Sequence, residues 1–337
     1  MVDTNALTLD QCILIVFAVP STSQKMLTKS LSLTPDTICY DLEDSVAAHL
    51  KSDARNALGK FLSTSPTYNS AASGRKPEIA VRINAPSTPH ALADLTTLLT
   101  TAGENISAVV VPKTDSAADL NFVTQAIEQL LPERQASANP LKILALVESA
   151  RSITNLKEIT SATPHLDGLI FAAEDFALSL SLTRTPSLTE FLFARQSMVT
   201  HAVAAGLPSI IDLVHVAYSR KPPGTPEYDS DPVTQSLVNE CQMGKNMGFN
   251  GKQCIHPSQV ATVHSVFSPG AEELEWAVKI DIGDKKASEA GRGAWTMDGK
   301  MIDVPVVGRA KGIVKRAELC GLDVEGLREK WAGLEPQ

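Results

Sequence analysis

Short apolar runs recur along the chain, each a few residues long and each closing on something polar. "ILIVFAV" (13–19), "TICYD" (37–41), "EIAVRIN" (78–84) and "SAVVVPK" (107–113) come first, followed by "KILALVE" (142–148), "DGLIFAAED" (167–175), "SIIDLV" (209–214) and "KQCIHP" (252–257). Their hydrophobicity is continuous rather than alternating, so both faces are covered. That is the mark of parallel strands under helices and not of a half-exposed antiparallel sheet. Helix-length stretches separate the runs. In "SLTEFLFARQSMVTHAVAAG" the residues Phe191, Ala194, Met198 and Ala202 repeat at helical spacing, Ser187 and Glu190 form a capping box, and Gly206 ends the pattern. "DPVTQSLVNECQMGKNMG" sets Asp231 as N-cap, Pro232 in the first turn and Gly248 at the close.

Eight strands alternating with helices predict an α/β fold of the (β/α)8 TIM-barrel type, here over residues 1–268, with a C-terminal helical extension and lid over 269–337. A doubly wound open sheet is the rival, but it announces itself with a Gly-rich first turn. The first run here leads into "PSTSQKM", with neither GxGxxG nor a P-loop.

The 337 residues, 43% hydrophobic, are enough for such a barrel with an extension. A formal net charge of −8 leaves no basic excess to displace counterions from phosphates, which argues against a nucleic-acid partner. No membrane partner is expected either: the one apolar run of "MVDTNALTLDQCILIVFAVP" is too short to span a bilayer and lacks a basic flank. It also lacks the Arg-rich amphipathic character of a transit peptide, so a cytoplasmic protein is expected, with a mitochondrial one as the alternative. The five cysteines are scattered, without CxxC or Cys/His spacing, and are expected to be reduced core residues.

Active sites of this fold gather at the carboxyl ends of the strands. The runs end, in order, on Asp41, Glu43 and Asp44; Arg82 and Asn84; Lys113; Glu148; Glu174 and Asp175; Asp212; and His256. If the barrel closes, these residues face one bowl. Like charges as dense as those of "ICYDLEDSV" repel unless a cation sits among them. A hard cation such as Mg²⁺ takes oxygen ligands, and Glu148 and Asp175 could supply a pair from neighbouring strands, with Glu43 and Asp44 bonded to its waters. The alternative is that these acids cap the helices that follow. Arg82 inside a buried run needs an anion: either a substrate carboxylate or enolate oxygen, or Asp41. Lys113 reads first as a solvated charge, His256 as a hydrogen-bonded structural histidine and Arg195 as one half of an ion pair.

The ordered segments "YDLEDSV", "VRINAP", "VVVPKTDS", "LVESA", "FAAEDFA", "AAGLPSIID", "MGFNGKQCIHPSQV" and "DGKMIDVPVV" resemble the citrate lyase β-subunit-like enzymes. Their superfamily also holds malyl-CoA lyases, and the resemblance covers about residues 12–315. It implies a Mg²⁺-dependent lyase that makes or breaks a carbon–carbon bond between an acyl-CoA, coenzyme A being part of the substrate, and a 2-oxo acid, in a homotrimer or hexamer. By position, Glu148 and Asp175 match the metal ligands, Arg82 the arginine that steadies enolate charge, and Glu43 and Asp44 the acids behind the metal. Asp303 matches a lid aspartate that reaches a neighbouring subunit and shuttles the α-proton of the thioester. Backbone N–H groups around Ala172 to Asp175, including those of Ala173 and Glu174, would hold the small carboxylate. The chain departs from the family in lacking the Arg-Ser start and Pro-Gly turn of the first strand, and in placing Ala before the sixth-strand acids. Two other functions compete: an aldolase of free 4-hydroxy-2-oxo acids that needs no CoA, and a catalytically silent barrel serving as a binding subunit.

Overall fold

The computed structural model describes residues 14–64, 66–70 and 76–336, with the backbone alone for 14–18. Eight parallel strands form a closed barrel in sequence order: β1 Leu14–Pro20, β2 Thr37–Asp41, β3 Glu78–Arg82, β4 Ala108–Val111, β5 Lys142–Val147, β6 Leu166–Phe171, β7 Ser209–Asp212 and β8 Gly251–Cys254. Pairing of β8 with β1, Leu14 opposite Gly251, completes the ring. The strands coincide with the apolar runs because each must be covered on both faces, by the barrel interior and by the helices outside.

Strand residues point alternately inward and outward. Cys39, Ala80, Val110, Leu144, Leu146, Ile170 and Ile211 pack into one interior cluster. Two residues beyond this layer, in the same phase, come Asp41, Arg82 and Glu148. Asp212 is one residue beyond Ile211 and so faces the helices instead, where Arg195 of the helix Leu192–Ala204 meets it with Nη2 to Oδ2 at 2.6 Å. Both side chains are fully buried. Gly244 of the helix Pro232–Met247 makes room for this pair, since a Cβ there would lie 2.3 Å from Asp212 Oδ2.

The helix Pro232–Met247 follows its sequence signals. Asp231 caps Val233 N–H, Pro232 starts the first turn, and Gly248 ends it at φ 103°, in the left-handed region that favours glycine. The box expected between Ser187 and Glu190 does not form. Leu188 takes a left-handed φ of 53°, a short turn Thr189–Phe191 intervenes, and the α-helix begins only at Leu192. The Glu190 carboxylate accepts instead from the N–H and hydroxyl of Thr185.

The chain divides into two compact units, Leu14–His264 and the segment from Ser265 onward. The second holds the helices Val304–Leu319 and Val324–Trp331, with Ala271–Glu289 before them, around Leu274, Val278, Trp295 and Ile313. It is not purely helical: β9 Trp295–Met297 and β10 Lys300–Ile302 form an antiparallel hairpin. Asp298 and Gly299, both at positive φ, close it. Of the cysteines, Cys39, Cys241 and Cys254 are buried free thiols, as expected. Cys320 departs from the expectation and is disulfide-bonded, while Cys12 lies outside the described residues. Among the described residues no helix is long and apolar enough to cross a membrane.

Candidate active site at the barrel mouth

At the carboxyl end of the barrel Arg82 grips Asp41 with both ends of its fork, Nε to Oδ1 and Nη2 to Oδ2, each at 2.7 Å. Its third nitrogen, Nη1, lies 3.1 Å from Glu43 Oε2 and 3.8 Å from Asp44 Oδ2. The sequence left Arg82 between an ion pair with Asp41 and an anionic substrate. The structure makes the first bond and leaves Nη1 directed at the acids of the following loop. Burial would raise the Asp41 carboxyl, but the bonds from Arg82, Ser45 and Glu43 N–H outweigh it and hold it below the usual range. The backbone of that loop is pinned by Lys51 Nζ, which donates to the carbonyls of Leu42 and Glu43 at 2.9 and 2.6 Å.

Glu148 and Asp175 come together through Lys113, with Glu148 close enough to Glu43 to act on its charge. Glu148 follows β5 and is 3% exposed, and the helix after it is capped by Ser149, whose hydroxyl accepts from Ser152 N–H. The capping alternative for Glu148 therefore falls. Asp175 stands in the first turn of the helix Ala173–Leu180, not at a strand end as the run "DGLIFAAED" suggested, because β6 stops at Phe171. Lys113 spans the two. Its backbone N–H donates to Glu148 Oε1, and its ammonium lies 2.6 Å from Asp175 Oδ1 and 3.7 Å from Glu148 Oε1. Lys113 is thus no simple solvated charge, and its φ of 50° puts it in the left-handed region.

Glu148 Oε2 is buried without a hydrogen-bond partner, and so is Glu43 Oε2, whose contact with Arg82 lacks hydrogen-bond alignment. Burial pushes Glu148 up to about 7, against the pull of Lys113, and Glu43 up to about 8, with Asp44 and Glu148 adding to the rise. In both acids burial outweighs the neighbouring cations Arg82 and Lys113. Among the described residues no three His, Cys, Asp or Glu side chains cluster closely enough to hold a metal by themselves. Two carboxylates with an orphaned oxygen between them nevertheless fit Mg²⁺, which keeps several waters and substrate oxygens in its shell.

No side chain caps the helix Ala173–Leu180, which leaves its first-turn N–H groups, including those of Ala173 and Glu174, open to an anion. The Glu174 side chain is committed elsewhere, to Arg184 at 2.7 Å. A cavity of about 510 Å³ opens beside Arg82 and Asp44, walled by Val19, Pro20, Leu33 and Ile255.

Two residues expected in the bowl do not face it, and a third stands at its rim. Asp212 pairs with Arg195, as above. Asn84 is turned to the outer helices, its amide donating to Asp94 Oδ2 at 2.7 Å. His256 sits at the rim as a structural group, Nδ1 at 2.8 Å from Ser258 Oγ and its ring stacked on Tyr218. A further charged group went unread in the sequence: fully buried Lys252 of β8 bonds Glu240 Oε1 at 2.7 Å, and Glu240 also contacts His215 and Arg184. A lysine in "GKQC" between Gly and Gln gives no periodicity signal for such a bond. Asp303 belongs to the second unit, where it caps the helix Val304–Leu319 by accepting from Val306 N–H at 3.3 Å.

A family model described as HpcH/HpaI aldolase/citrate lyase matches residues 14–257. The chain is 32% identical over 312 residues to the citrate lyase subunit beta of Haemophilus influenzae, covering 93% of this chain and 97% of that protein. To the human mitochondrial citramalyl-CoA lyase it is 33% identical over 313 residues, covering 90% and 84%. Among solved structures, the protein CitE of Mycobacterium tuberculosis in complex with magnesium, acetoacetate and coenzyme A superimposes with a TM-score of 0.67 and 28% identity, covering 91% of this chain and 98% of that one.

Proposed function

The chain belongs to the HpcH/HpaI aldolase/citrate lyase family, and on that premise we propose that it is a magnesium-dependent carbon–carbon lyase acting on a CoA thioester. The substrate is a 3-hydroxyacyl-CoA of the malyl, citramalyl or citryl type, split into an acyl-CoA and a 2-oxo acid or formed from them. The observation that carries this reading is the Glu148–Asp175 pair, buried on one side, orphaned at Glu148 Oε2 and adjoining Arg82 and Glu43. Names of the relatives and the ligands of the solved neighbour support it.

Glu148 and Asp175 would hold Mg²⁺, with Glu43 and Asp44 bonded to its waters. An ion held there would supply Lewis-acid polarisation of the 2-oxo acid's carbonyl. The open N–H groups of Ala173 and Glu174 take that acid's carboxylate, and its orientation is set before the bond breaks. In cleavage the 3-hydroxyl gives its proton to water at the open mouth as its C–O becomes the carbonyl of the 2-oxo acid, the bond to the α-carbon breaks, and the electron pair of that bond is left on the thioester oxygen. Arg82, already fixed by Asp41, meets this charge with Nη1 and lowers the barrier without reorganising. Asp303 returns the proton to the thioester's α-carbon, or removes it in the condensing direction. In this reading the assembly is a homotrimer or hexamer, and Asp303 serves a neighbouring subunit's site.

The test is incubation of the purified chain with Mg²⁺ and malyl-, citramalyl- and citryl-CoA, following acyl-CoA and 2-oxo acid together. Equal release of both, abolished by EDTA, is the expected result. Turnover of free 4-hydroxy-2-oxo acids alone would replace the reading with an aldolase. Free CoA without acyl-CoA would replace it with a hydrolase. Binding without any turnover would leave a binding subunit.

A further inference from the structure

The loop after the helix Ala173–Leu180 returns Arg184 to the first turn of that same helix, where its Nη1 lies 2.7 Å from Glu174 Oε1. Its Nη2 donates at 3.0 Å to two acceptors, Val214 O and Glu240 Oε2. Both are firmly held. Glu240 is 8% exposed; its Oε1 accepts from Lys252 Nζ at 2.7 Å and its Oε2 lies 3.1 Å from His215 Nδ1. Lys252, fully buried, also donates to Leu213 O at 2.7 Å, and Gln259 Nε2 donates to the carbonyls of His215 and Ala217. Arg184 therefore stands on a fixed frame, while the Glu174 side chain it meets is 56% exposed.

An ion pair with one half in water adds little to stability, so stability does not account for this placement. The field at the turn does. Glu174 carries one of the N–H groups that face an incoming carboxylate, and its own carboxylate sits on the same turn. An acid there suits the helix dipole, but the helix end supplies only about half a positive charge, which one full negative charge outweighs when a second anion arrives. The other side of the turn is acidic too. Glu148, with Oε2 buried and unpartnered, adjoins it through Lys113, whose ammonium lies 3.7 Å from Glu148 Oε1 and 2.6 Å from Asp175 Oδ1. Lys113 answers Asp175, and Arg184 answers Glu174.

We propose that Arg184 is a positioning residue of the 2-oxo acid site and acts through Glu174: it cancels the charge of that acid and draws its carboxylate toward the segment after β7, so that the N–H groups of the turn stay open to the substrate's carboxylate. This rests on the lyase reading above and adds what keeps an acid-bearing turn receptive to an anion. An order of affinities follows from the signs of the charges. Without Arg184, Glu174 repels the substrate; without the charge of Glu174, Arg184 attracts it; without both, the balance returns. An ion pair that only braces the loop predicts instead that each single loss weakens binding.

The test is calorimetric titration of the full chain, with Mg²⁺ present, by glyoxylate, pyruvate and oxaloacetate in turn. For the acid that the wild type binds, Arg184→Gln is expected to weaken binding about tenfold and Glu174→Gln to tighten it about threefold. R184Q/E174Q is expected to return within about threefold of the wild type, and all the differences shrink as salt rises. Thermal midpoints are expected to stay close, because Glu240 keeps Lys252 and His215 when Arg184 is lost. Should Arg184→Gln fail to fold, the sign of the exposed Glu174→Gln change still decides. In the condensing direction KM for the 2-oxo acid follows the same order, whereas KM for the acyl-CoA does not. Weaker binding by Glu174→Gln, or a double variant no better than Arg184→Gln, overturns the proposal. So does a wild type that binds none of the three acids. Equal binding by all variants, alongside thioester turnover, defeats this inference alone, whereas the expected order of affinities with no thioester turned over by the wild type defeats the lyase reading alone.

Discussion

The ammonium of Lys113 lies 2.6 Å from Asp175 Oδ1, while the backbone N–H of the same lysine donates to Glu148 Oε1. One residue, held at a φ of 50°, clasps both acids assigned to the metal. A non-glycine residue in that region costs about 1–3 kcal/mol and persists only where its surroundings fix it. Here the bonds to Glu148 and Asp175 are among the contacts that fix it.

Mg²⁺ is expected to raise the thermal midpoint of the wild type, and Glu148→Gln and Asp175→Asn should each abolish that rise. Turnover should fall at least about a thousandfold, the order of losing a transition-state charge stabiliser. Lys113 is partly exposed, so the midpoint without metal should change little. An Asp175→Asn protein with an undiminished magnesium response would remove Asp175 from the ligand set.

Arg82→Lys tests the fork. A lysine places one point charge where Arg82 meets Asp41 twice and still offers Nη1 to the site. We expect kcat to drop about a hundredfold with KM for the thioester within a few-fold. A rise in KM at constant kcat would mean that Arg82 merely binds substrate.

Asp303→Asn separates capping from proton transfer. Asparagine is as good an N-cap as aspartate, so stability should stay within about 0.5 kcal/mol. Turnover, and exchange of the α-protons of acetyl-CoA with heavy water, should both fall about a hundredfold or more. Exchange at the wild-type rate would show that another group moves the proton.

Acid stability should report Glu240. Burial opposes its ionisation, but Lys252 and His215 overcome this and hold the carboxyl at about 2, below its usual 4.5. A depressed pKa means stability that is complete above about pH 4.5 and is lost as pH falls toward 2. The shift corresponds to of order 3 kcal/mol. Denaturant melts should show the wild type weakening across that window. Glu240→Gln should begin less stable at pH 7, because Lys252 is left buried and unpaired, and should lose less across the window. A Glu240→Gln protein with the wild-type acid slope would exclude this group.

Continuous hydrophobicity was enough to place seven of the strands, because a strand covered on both faces has no polar phase to hide it, whereas β8, Gly251–Cys254, carries Lys252 and Gln253 and is not an apolar run. The capping signals at Asp231, Pro232 and Gly248 were legible for a similar reason: they act within one helical turn. What lay outside the sequence pattern was phase and partner. Ile211 faces the barrel interior, so Asp212, its neighbour, must face the helices, and whether a strand's last polar residue enters the bowl depends on that parity. Asp41 and Arg82 fall on the inward phase and meet; Asp212 falls on the outward one and meets Arg195. Lys113, Glu148 and Asp175 are far apart along the chain and carry no mutual periodicity, and Lys252 reaches Glu240 only because a helix lies over β8. The sequence by itself determined the barrel, since burial of each segment is a local property. Only the closed ring decided which charges share a site, since that depends on the direction each side chain takes once the strands are in register.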